Sequence, residues 1–84
     1  MSEAVVEELC ERLRTHLGVQ VQTRSEGSAW VFEIVGECFS GLSRVRRQQL
    51  VNAHLAEAIS SGQIHAVILH THTPEEAARR ENSG

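Results

Sequence analysis

The sequence predicts one α+β domain of two layers, with elements in the order α-β-β-α-β-α and a three-stranded mixed sheet. Three observations carry that expectation. Two segments show apolar residues at helical spacing, two short strands lie between them, and a threonine-proline capping sequence opens a final helix. With 84 residues there is material for a single core, and a chain of this size withdraws only about 60% of its unfolded surface from water. The expected domain covers residues 1–80, and residues 81–84 read as a disordered tail.

The first helix rests on Val5, Val6, Leu9, Leu13 and Leu17, with Gly18 placed for a left-handed C-terminal cap. Val19 to Thr23 then alternates valine with glutamine, the period of a half-buried strand. Arg24 to Ser28 reads as a turn. A second strand, Ala29 to Val35, puts Trp30, Phe32 and Ile34 on one face and Val31, Glu33 and Val35 on the other. Gly36 to Leu42 reads as a loop anchored by Phe39 and Leu42, after which Ser43 is the N-cap of a helix to about Ser60 with Val51, Leu55, Ala58 and Ile59 as its stripe.

Arg44, Arg47 and Gln48 continue that stripe towards its start, and charged residues do not extend a buried face. Arg44, Arg46 and Arg47 are therefore expected to be exposed. Positive charge in a first helical turn opposes the helix dipole by roughly 0.3–1 kcal/mol per residue, so the segment is a candidate contact surface for phosphate, a carboxylate ligand or an acidic protein patch.

Ile64 to Thr71 is a nearly continuous apolar run, expected to be the third strand. Thr73-Pro74-Glu75-Glu76 has the form of a capping box. The helix between strands 2 and 3 is a crossover, which makes those strands parallel if they are neighbours. That topology brings the start of strand 3 towards the turn joining strands 1 and 2, and Cys38 towards His70 and His72 at the other end.

Composition narrows the function. The hydrophobic share is 40% and the charged share 23%, which suits a folded chain. No apolar run approaches the roughly 18 residues of a membrane span, and the acidic N-terminus resembles no targeting segment, so a soluble, cytoplasmic protein is expected. Cys10 and Cys38 are too sparse for a disulfide framework. The net charge is −3, an unpromising footprint for nucleic acid. No nucleophile elbow, glycine-rich phosphate loop or aspartate is present, so the chain is expected not to be an enzyme.

Three spaced motifs, Phe39-Ser40-Gly41-Leu42-Ser43-Arg44-Val45, Gly62-Gln63-Ile64-His65-Ala66-Val67 and Thr73-Pro74-Glu75-Glu76, together resemble the BolA family. Arg46-Arg47-Gln48-Gln49 is closer to its IbaG-type branch. The resemblance implies the same α-β-β-α-β-α fold, similar to a class II KH module. It also implies a non-enzymatic adapter that pairs with a monothiol glutaredoxin and takes part in [2Fe–2S] cluster handling and iron homeostasis. The cluster would be shared with the glutaredoxin and its glutathione, and the isolated chain would carry none. His65 stands where the resemblance implies an iron ligand, and imidazole in place of thiolate is known chemistry for a two-iron cluster. A second His or Cys, implied from the strand 1 to strand 2 turn, is missing from Ser25-Glu26-Gly27-Ser28-Ala29-Trp30.

The residues also admit other readings. Cys38, His70 and His72 together would suit zinc or copper. A nucleic-acid-binding regulator would use Arg44–Arg47 at the start of a recognition helix, although no Gly-x-x-Gly loop accompanies it. If Trp30, Phe32, Ile34, Ile64, Ala66 and Ile68 face the helices, Val31, Val35, Val67 and Leu69 face away and form, with His65, a strip for a partner or a second copy of the chain.

Overall fold

The computed structural model describes residues 3–62 and 66–82. Its elements are α1 (Glu3–Leu17), β1 (Gln20–Glu26), β2 (Ala29–Val35), α2 (Arg44–Ser60), β3 (Val67–His72) and α3 (Pro74–Asn82), with a 3-10 turn at Glu37–Phe39. The sheet order is β1-β2-β3, antiparallel between β1 and β2 and parallel between β2 and β3. The fold is therefore the expected α+β arrangement with a mixed sheet. α3 continues to Asn82, two residues past the boundary at Arg80 that the sequence suggested.

Local chemistry explains most boundaries. Val6, Leu9, Cys10 and Leu13 form the buried stripe of α1, and the chain turns at Gly18, whose φ is +66° and whose N–H donates to the Arg14 carbonyl at 3.0 Å. The hairpin is tighter than the sequence suggested. Glu26 pairs with Ala29, leaving only Gly27 and Ser28 in the turn, and the positive φ of Gly27 is that of a type II′ connection. Arg24, Ser25 and Glu26, expected in the turn, join β1 because Val31, Trp30 and Ala29 offer ladder partners across the hairpin. Ser43 caps α2 as expected, its Oγ accepting the Arg46 N–H at 3.2 Å.

The helices α1 and α2 share one side of the sheet. Their buried residues, including Leu9, Leu13, Val51 and Leu55, close with Val21, Phe32, Ile34 and Phe39 into one apolar cluster. Phe32, Phe39, Leu13 and Leu55 are 0% exposed. Each carries the roughly 1.5–3 kcal/mol that full burial of a large apolar side chain contributes.

The face assigned to β3 is reversed from the expectation. The register pairs Trp30 with Val67, Phe32 with Leu69 and Ile34 with Thr71, so Val67 and Leu69 share the helix side and pack against the core. Ile68, His70 and His72 lie with Val31, Glu33 and Val35 on the second face, where Ile68 is 43% exposed. An apolar run without alternation carries no parity of its own, and a one-residue slip exchanges every side chain between faces. The strip proposed from Val67 and Leu69 is thus half-buried core boundary.

Candidate functional site

The parallel crossover creates two ends of the sheet at which chemistry-bearing residues gather. At the first, the Trp30 N–H donates to the Ala66 carbonyl at 3.0 Å, and Trp30 pairs in register with Val67. The exposed end of β1 at Glu26 and the turn residues Gly27 and Ser28 therefore stand beside the beginning of β3, as the topology requires. His65, the candidate ligand, lies outside the described residues.

At the second end the Gly36 N–H donates to the His72 carbonyl at 2.9 Å, extending the β2–β3 ladder. Cys38 is half-buried, and burial pushes its thiol up from the ordinary cysteine value, which disfavours thiolate. Cys10 is buried and raised for the same reason. His72 Nε2 lies 3.8 Å from a Glu33 carboxylate oxygen, and Glu33 also receives the Arg24 guanidinium at 3.4 Å. Among the described residues no three His, Cys, Asp or Glu side chains converge as a metal site, so Cys38, His70 and His72 do not assemble the zinc or copper arrangement considered above.

The arginine segment divides. Arg44 and Arg46 are exposed and make no side-chain hydrogen bond or ion pair among the described residues, and Val45 between them is 63% exposed. Arg47, expected to be exposed with them, is a structural residue instead: its side chain is 14% exposed. It donates to the two Glu76 oxygens at 2.7 and 3.2 Å and to the Leu42 carbonyl at 2.9 Å. The paired planes of guanidinium and carboxylate suit this two-point contact.

Glu76 in turn completes the capping box of α3. Its carboxylate accepts the Thr73 N–H at 2.9 Å, while Thr73 Oγ1 accepts the Glu76 N–H at 3.2 Å. The Arg47 hydrogen bond, reinforced by the Thr73 N–H, lowers the Glu76 pKa to about 2. The capping box was legible in sequence, but the Arg47 contact spans 29 positions and leaves no local signal. α3, too short to be stable by itself, is thereby fastened to the start of α2.

On the second face, Gln20, Gln22, Arg24, Glu33, Val35 and His72 form the floor of an open concavity of about 580 Å³, walled by Pro74, Ala77 and Ala78 of α3. Sequence reasoning missed this polar seam because its members come from three strands. No helix of the described residues is long and apolar enough to cross a membrane.

Comparison with known proteins follows the same outline. Residues 3–76 match the family model described as BolA-like protein. Acid stress protein IbaG of Escherichia coli K12 is 43% identical over 60 residues, 71% of each chain. A bol-like protein from Babesia bovis is 34% identical and superposes with a TM-score of 0.71, covering 96% of this chain and 94% of its own. The BolA domain of SufE1 from Arabidopsis thaliana shares the fold at a TM-score of 0.78 and 23% identity, over 90% of this chain and 99% of that domain.

Proposed function

This chain belongs to the BolA family, and we propose that it serves there as a non-enzymatic adapter that docks on a monothiol glutaredoxin and contributes His65 to a [2Fe–2S] cluster held between the two proteins. The observation that carries the reading is the family match over residues 3–76, which includes the His65 motif. The sheet supports it by setting the β1–β2 turn beside Ala66, the residue that follows His65 in sequence.

That turn offers no His or Cys, and no three ligand side chains converge among the described residues. In this reading the remaining ligands come from the partner and its glutathione, with this chain supplying one imidazole. The neutral nitrogen of a histidine is suited to that role. On β3, Ile68 rather than Val67 or Leu69 meets an arriving protein surface, and the exposed Arg44 and Arg46 offer guanidinium groups to an acidic patch.

The test mixes the chain with cluster-loaded monothiol glutaredoxin and follows visible circular dichroism. The wild-type chain should change the spectrum and His65→Ala should not. An identical change with His65→Ala removes His65 from the ligand set. The nucleic-acid reading is weakened by the loss of Arg47 to its ion pair and by the net charge of −3. Micromolar, steeply salt-dependent binding to random DNA or RNA that is lost on replacing Arg44 and Arg46 would restore it.

A further inference from the structure

The described histidines differ in what engages their ring nitrogens. His72 faces Glu33, and His70 is exposed on the second face of the sheet. His16, in the last turn of α1, and His54, in the middle of α2, meet each other: their rings stack with centroids 5.3 Å apart and planes 18° from parallel. Neither imidazole makes a hydrogen bond or ion pair among the described residues. The backbones beneath them are fixed, since Leu13 and Leu55 are both 0% exposed and the Arg12 guanidinium on α1 donates to the His54 carbonyl at 3.4 Å. His16 itself is exposed and His54 half-buried, so the rings can turn where the helices cannot.

We propose that His16 and His54 form a two-imidazole clasp for a divalent transition-metal ion of the nickel, copper or zinc class, tying α1 to α2. Neutral imidazole nitrogen is the metal-binding form of histidine, and the two stacked rings place two such groups side by side. Imidazole nitrogens hold such ions at about 2.0–2.1 Å, so rotation of the exposed His16 ring must bring two nitrogens within about 4 Å of each other. Water completes the coordination, since no third ligand side chain converges among the described residues. The Arg12 cation opposes a dication at this junction and keeps the affinity modest.

An ion that bridges two helices binds the folded chain better than the unfolded one and raises its melting temperature. Thermal unfolding of the full chain with Ni²⁺ alone, at about pH 7.5, should show a rise of at least about 3 °C that disappears near pH 5 as imidazoles protonate. His16→Ala, His16→Gln and His54→Gln should each abolish it, with each variant's metal-free melt as its own reference. His65→Ala and the double variant His70→Ala/His72→Ala should retain it. A full shift in any His16 or His54 variant, or a shift lost only in the His65 or His70/His72 variants, overturns the assignment.

Discussion

Reversal of β3 relative to the simplest sequence reading makes a pair of adjacent substitutions diagnostic. Val67 packs against the core beside Trp30, whereas Ile68, one residue later, is 43% exposed on the second face. A fully buried valine contributes about 1.5–3 kcal/mol, of which half-buried Val67 realises roughly 1 kcal/mol. A carboxylate in its place adds the cost of an unsatisfied polar group, about 1–3 kcal/mol, so Val67→Glu should cost about 2–4 kcal/mol in all. Ile68→Glu keeps its charge in water and should cost about 1 kcal/mol or less. An 84-residue domain has on the order of 4–13 kcal/mol to lose. With a slope near 1 kcal/mol per molar urea, the midpoint should fall by about 2–4 M for Val67→Glu and by less than about 1 M for Ile68→Glu. Urea unfolding followed by far-ultraviolet circular dichroism reads both. Equal sensitivity at the two sites, or greater loss at Ile68, would refute the register argument. Under the proposed adapter function, Ile68→Glu should in addition weaken binding to a monothiol glutaredoxin in a chain that remains folded.

Two further expectations concern acid and packing. Glu76, with its carboxyl held at about 2 against an ordinary 4.5, has a folded pKa below its unfolded one; the stabilisation is complete above about pH 4.5 and is lost as pH falls towards 2. Urea midpoints measured across that interval should decline less steeply in Glu76→Gln than in the wild type, and parallel declines would show that the Arg47 contact is not linked to folding. Gly36 is buried in extended backbone, where an added Cβ would collide with Val19 Cγ1 and sit 3.3 Å from Cys38 Sγ. Gly36→Ala should cost about 1–3 kcal/mol by overpacking, and Val19→Ala in the same chain should recover part of it. An unchanged midpoint for Gly36→Ala would mean that this corner yields freely.

The adapter reading and the fold were legible to different degrees. Motifs around Ser43, His65 and Thr73 carried the family resemblance because each combines a turn or cap requirement with fixed spacing. Arg47 could not be separated from Arg44 and Arg46 by such reasoning, since its burial depends on Glu76 arriving from another helix. The stacked pair His16 and His54 was equally silent, its members lying on different helices.

Local chemistry in the sequence determined the order and nature of the elements. Alternation at Val19 and Val21, helical spacing in α1 and α2, Gly18 and Gly27 at positive φ, and the Ser43 and Thr73 caps act within a few residues and need no distant partner. Tertiary structure alone decided which side of β3 meets the core, that Arg24–Glu26 belong to a strand, and that Arg47 locks α3 to α2. An unbroken apolar strand has no preferred face until its neighbour fixes the register, and a charged side chain has no fixed role until the fold brings its counter-ion within reach.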